Sequence, residues 1–202
     1  MSNYLLPDPF LLAPATYTLM IIILVTSIIG FYHRVFFGKL ILHPYSVCNK
    51  SEYYRLFTSD FVHVDIVHLL LNQVALYVIC SDLEELLNKR SQHGSLQFLI
   101  IYAASMLTAN IAATIRNRNN FNYSSVGASG SIMGCLFAFM LLDPFGHAVN
   151  IAILGPIENI YTAPLYIAML TYYKWKKKNE AINHDLHFYG AIGGIVVSLL
   201  FR

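Results

Sequence analysis

Charge is scarce in this chain: thirteen basic and eleven acidic side chains are spread over 202 residues, 12% of the sequence, where a soluble domain carries about 25%. An ordinary soluble fold is excluded on that ground, and the 56% share of hydrophobic residues makes lipid the natural solvent. Cysteine is nearly absent. Cys48, Cys80 and Cys135 are odd in number and far apart, and two lie in apolar runs, so they read as packing residues rather than a disulfide framework or zinc site. Metal motifs are missing too: His63 and His68 stand five residues apart, a poor chelate spacing, and no His-Glu-x-x-His run occurs. No metal or other cofactor is expected. The one basic tract, Lys174-Trp175-Lys176-Lys177-Lys178, joins two apolar runs and reads as an interfacial loop with a Trp and Tyr belt, so no nucleic-acid partner is expected. A cleavable leader is not indicated, because the first apolar run is too long, lacks a basic flank and is not followed by a small-residue cleavage site.

What the chain does have is apolar runs approaching the roughly 20 residues a bilayer demands. Six are expected as transmembrane helices of one domain covering 1–202: about 16–37, 62–80, 96–115, 126–142, 148–173 and 186–201. The fold class is therefore an all-α membrane protein. Pro7, Pro9 and Pro14 precede the first run, and the mixed, aromatic stretch from Leu40 to Asp60 is expected as an ordered loop lying on the membrane. Asp82, Glu84, Glu85, Lys89 and Arg90 are expected to form a polar turn after the second run. The fourth and sixth runs are short, about 25 Å at 1.5 Å per residue against about 30 Å of hydrocarbon, so one end of each must stop inside the bilayer. For the fourth that end is Gly127-Ala128-Ser129-Gly130, since Asp143-Pro144 is a firm stop at the other. Gly155-Pro156, Glu158 and Pro164 predict a kinked, loosely packed fifth span.

A serine opening a helix below the membrane surface sits at the positive end of the macrodipole and meets water only through a cavity. Ser129 occupies that position, and as a nucleophile it needs a base within hydrogen-bond reach. His187 is the candidate: Gly190 and Gly194 share its helix face, and Gly130 and Gly134 line the helix of Ser129. Two ridges of small residues let helix backbones meet closely, bringing serine and histidine together by packing. His68 and Asn72, spaced i and i+4 on the second span, are candidate oxyanion donors together with the Ser129 backbone N–H. His63 lies off that face and reads as structural support. Each residue alone has a plainer reading as helix packing or interhelical glue. Their combination on three spans favours chemistry.

Those residues also resemble the rhomboid family of intramembrane serine proteases. Tyr54-Arg55-Leu56-Phe57-Thr58-Ser59-Asp60-Phe61-Val62-His63 is similar to its aromatic-Arg-Leu-x-Thr-x-x-Phe-x-His stretch, and His63, His68 and Asn72 fit its H-x4-H-x3-N pattern. Gly127-Ala128-Ser129-Gly130 matches its GxSG motif, and His187-Phe188-Tyr189-Gly190 followed by Gly194 matches its H-x2-G-x3-G motif. The resemblance, which runs from about Tyr54 to the C-terminus, implies a minimal six-helix bacterial type with a membrane-embedded first loop supported by Arg55. It also implies a Ser129–His187 dyad that cleaves transmembrane helices of membrane-protein substrates. Met133 departs from the family, which often places an aromatic residue there. Asp185 is expected to point away from His187, so no triad is implied. An inactive rhomboid-like binder of client helices is the alternative, although such proteins usually lose the serine or the histidine. The family topology implies a bacterial inner membrane with the active site opening to the extracytoplasmic side. The distribution of Lys and Arg votes for the opposite orientation, since Lys174 to Lys178, Arg116, Arg118 and Arg55 then lie outside.

Overall fold

The computed structural model describes residues 9–151, 155–176 and 184–202. A short turn of helix, α1 (Pro9–Leu12), leads into α2 (Pro14–Tyr32), an apolar helix with proline in its first turn, where a missing N–H costs nothing. The amides that open α2 are not left bare. Ala15 and Thr16 donate to the two carboxylate oxygens of Glu84 at 2.9 and 2.7 Å, and Glu84 is fully buried. An anion thus completes the positive end of the helix from another element. The helix stops at Tyr32, short of the expected 37, and the chain turns at His33 into α3 (Arg34–Leu40). Gly30 lies at the fold-back, where a Cβ would just touch the Phe37 ring at 3.4 Å.

The segment expected to lie on the membrane is a string of short helices: α4 (Pro44–Lys50), α5 (Arg55–Thr58) and a 3-10 turn at Ser59–Phe61. Arg55 organises it. Its guanidinium donates to the carbonyls of Gly38 and Ile41, each at 2.8 Å, and pairs with Glu52 at 2.5 Å, while Thr58 reaches the Leu40 carbonyl at 2.8 Å.

The second run is longer than expected. Helix α6 (Ile66–Ala75) continues through a π-helical turn at Leu76–Cys80 into α7 (Ser81–Arg90), so the charged cluster forms helix and not a polar turn. Acidic residues fall in the first turn of α7 and basic ones in the last, Glu85 pairs with Lys89 one turn on at 2.6 Å, and Leu83 and Leu87 are buried. Such a pattern suits a helix leaving the membrane. Next come α8 (Gly94–Asn117) and α9 (Ser129–Leu142), the latter almost wholly enclosed by its neighbours. Leu69, Leu76, Leu83, Phe98 and Ile101 pack with Ile23 of α2 and with Ile132, Cys135 and Ala138 of α9 to form the main core.

The expected fifth span, about 148–173, is corrected at its start. Val149–Ile151 and Gly155–Ile157 pair as a small antiparallel hairpin, β1 and β2, and the helix α10 begins only at Asn159 and runs to Lys176. Gly155-Pro156 therefore belongs to a strand outside the helix, leaving Pro164 as the one proline within it. Asn159 fixes the junction by donating to the Asp143 carbonyl and accepting from the Ala148 N–H, both at 2.7 Å. Lys177 and Lys178 of the basic tract lie outside the described residues. The last helix is α11 (His184–Ser198), extended by a 3-10 turn to Phe201.

Among the described residues, Pro14–Tyr32, Ile66–Arg90, Gly94–Asn117 and His184–Phe201 are long and apolar enough to cross a membrane. α9 is a shorter apolar helix of 14 residues. Val67, Leu70, Leu71 and Val74 of α6 and Leu165 of α10 are exposed, as lipid-facing side chains should be.

Candidate active site

Ser129 is the first residue of α9, and the turn that presents it depends on Gly127. Gly127 has φ +101°, a left-handed conformation that L side chains rarely adopt. Space forbids a side chain as well: a Cβ there would lie 2.6 Å from Cε1 and 2.8 Å from Nε2 of His68. The Gly127 N–H donates to the Ser59 carbonyl at 2.9 Å, tying the turn to the end of the membrane-lying segment.

His187 sits in the first turn of α11, and its Nε2 lies 2.9 Å from Ser129 Oγ. Glycine makes that approach possible. A Cβ on Gly190 would collide with the Gly130 carbonyl, and one on Gly194 with the Gly134 carbonyl. A Cβ on Gly134 would in turn strike Ser105 of α8, so three helices share one seam of near-contacting backbone. Ser129, His187 and His68 are all half-buried, packed but reachable.

The structure brings His68 to the rim of the serine turn, whereas Asn72 is buried one turn further along and donates Nδ2 to the His68 carbonyl at 2.9 Å. The Asn72 amide retains a second N–H beyond the one given to the His68 carbonyl. His63 is buried, 3.0 Å from Ser27 Oγ through Nδ1, with its ring edge-on to His68 at 4.9 Å between centroids. Asp65 caps α6 by accepting from the His68 N–H at 2.8 Å. That role was readable as an Asp before an apolar helical run. Asp185 is held at 3.1 Å by Arg116 at the end of α8. Met133 and Phe188 each pack against a separate core cluster that includes Phe137, Met140 and Ala191.

Sequence reasoning missed Asp60, which is buried and accepts from Ser131 Oγ and from Asn110 Nδ2, the latter at 3.2 Å. The available signal was a carboxylate directly before the apolar pair Phe61-Val62 at the start of the second run, which must find donors if it is buried. No group of His, Cys, Asp and Glu arranged for a metal occurs among the described residues.

A bundle of helices apolar and long enough to cross a membrane thus holds a serine hydroxyl and an imidazole 2.9 Å apart at its glycine seam. The family model described as a Rhomboid domain matches residues 50–202, and the chain belongs to the rhomboid family. YdcA of Bacillus subtilis, a rhomboid relative, is 27% identical over 153 residues, covering 75% of this chain and 68% of YdcA. The rhomboid protease GluP of the same organism is 36% identical over 95 residues, 47% of this chain but only 17% of GluP. Inactive rhomboid protein 1 of Danio rerio is 32% identical over 91 residues, 45% of this chain and 10% of that protein. Relatives named as proteases and relatives named as inactive are thus both similar to this chain.

Proposed function

We propose that the chain is an intramembrane serine endopeptidase, one rhomboid domain in which α9 and α10 complete six membrane crossings. The observation that carries the reading is the 2.9 Å contact between His187 Nε2 and Ser129 Oγ, which an inactive binder of client helices has no need to keep. A substrate helix unwinds near the outer leaflet of a bacterial inner membrane at small or helix-breaking residues. It then enters between the second and fifth spans. Ser129 Oγ attacks the peptide carbonyl carbon while its proton passes to His187 Nε2, the Nδ1–H tautomer being the reactive one. The tetrahedral oxyanion is stabilised by the Ser129 backbone N–H at the positive end of α9 and by His68 and Asn72. His187 returns the proton to the leaving amine, and water then hydrolyses the acyl-enzyme by the same exchange.

Purified protein in detergent with a generic transmembrane substrate tests this. Wild-type chain is expected to cleave, and Ser129→Ala and His187→Ala each to lose at least about 10³-fold in kcat. Cleavage surviving either change refutes the dyad, and equal inactivity of all three favours the binder. For orientation, a reporter fused after Arg202 is expected to be active only in the cytoplasm.

A further inference from the structure

Residues 59 and 60 hold the chain on both sides of the nucleophile. On one side the Ser59 carbonyl accepts from the Gly127 N–H at 2.9 Å, two residues before Ser129. On the other the Asp60 carboxylate accepts from Ser131 Oγ, two residues after it and in the first turn of α9. Asn110 of α8 fixes the pair from behind, donating Nδ2 towards the Leu56 carbonyl at 2.9 Å, Ser59 Oγ at 3.1 Å and Asp60 Oδ1 at 3.2 Å. Asp60, Ser131, Asn110 and Ser59 are all buried.

A carboxylate is an expensive anchor in such a place. The hydroxyl and amide donors around Asp60 offset part of its desolvation, and the nearby first turn of α9 presents the positive end of a helix dipole. None of these groups reaches the reacting atoms. The contact to Ser131 instead fixes the first turn of α9 relative to the segment that continues into His63 and His68, while α11 delivers His187 from the other side. A shift of about 1 Å in a reacting group costs up to about 10²-fold in rate.

We propose that Asp60 is a positioning residue for Ser129, holding the first turn of α9 through Ser131 so that the nucleophile meets His187 and the oxyanion donors in register. The inference rests on the reading of Ser129 and His187 given above. It is tested on the full chain with Asp60→Ala, Asp60→Asn, Ser131→Ala and the Asp60→Ala/Ser131→Ala double variant. The measurements are kcat, KM, the rate at which a fluorophosphonate probe labels Ser129, and the thermal midpoint.

Asp60→Ala is expected to lower kcat and labelling rate together by about tenfold or more, with KM within about twofold, since substrate docking is untouched. Asp60→Asn keeps an acceptor for Ser131 and recovers part of the loss. The double variant falls no further than Asp60→Ala alone, because both changes remove one contact. If Asp60→Ala does not fold, Ser131→Ala decides: a fall of about threefold or more in kcat and labelling supports the proposal, and wild-type values overturn it. Wild-type kcat in folded Asp60→Ala also overturns it, as does a loss that disappears once rates are scaled to the folded fraction. Ser129→Ala separates the two levels. If that variant still cleaves, the reading of the site fails; if it is inert while Asp60→Ala is fully active, only the positioning role fails.

Discussion

Two regions of the molecule are built on opposite principles. Along the seam of α9 and α11 the side chains shrink to glycine, and backbone of one helix rests on carbonyls of the other. On the outer side, α6 and α10 turn large apolar side chains outward: Leu71 is 66% exposed, Tyr161 69% and Leu165 67%. Packing at the seam fixes geometry, which the proposed proton exchange between Ser129 and His187 requires. The outer side spends little protein contact on itself, which suits the proposed entry of a substrate helix between the second and fifth spans.

The contrast is broken most severely at the seam. Gly194→Val, whose new side chain collides with the Gly134 carbonyl, is expected to lower stability by about 3 kcal/mol, the upper part of the range for overpacking. Unfolding in mixed detergent measures it. A smaller loss, about 2 kcal/mol, is expected for Glu84→Ala in the same assay, because one buried and one half-buried amide at the start of α2 lose their acceptor. Activity per folded molecule should survive that change, since Glu84 acts at the far end of the second span. The smallest stability effect belongs to the outer side: Leu165→Ala is expected to shift stability by less than about 0.5 kcal/mol. Its effect appears instead in the cleavage rate of a bilayer-embedded substrate, and an equal effect on a soluble peptide would count against a substrate passage beside α10.

Much of the seam was legible because it is written in local spacing. Gly130 and Gly134 share one face of their helix and Gly190 and Gly194 share one face of theirs, so the close crossing follows from helical periodicity alone. What stayed hidden depends on contacts between distant residues or on local competition. The charges of Ser81–Arg90 read as a polar turn, and it is the burial of Glu84 against α2, a distant contact, that accompanies helix there. Gly155-Pro156 read as a kink because the hairpin that contains it is stabilised by pairing with Val149–Ile151. Asp60 is 50 residues from Asn110 and 71 from Ser131, and no pattern in any one segment announces that they meet. The bond from Asn72 to the His68 carbonyl is a choice between local and distant partners that spacing leaves open.

The brevity of α9 has a last consequence. Fourteen residues rise about 21 Å, roughly 9 Å less than the thickness of a bilayer's hydrocarbon layer. A lone helix so short would drag lipid headgroups inward and pinch the bilayer. Here other helices encase it, so the shortfall is met by protein instead of lipid, and the level at which Ser129 opens the helix is set by the helices themselves. A thicker or thinner membrane moves the lipid surface and leaves that level where it was.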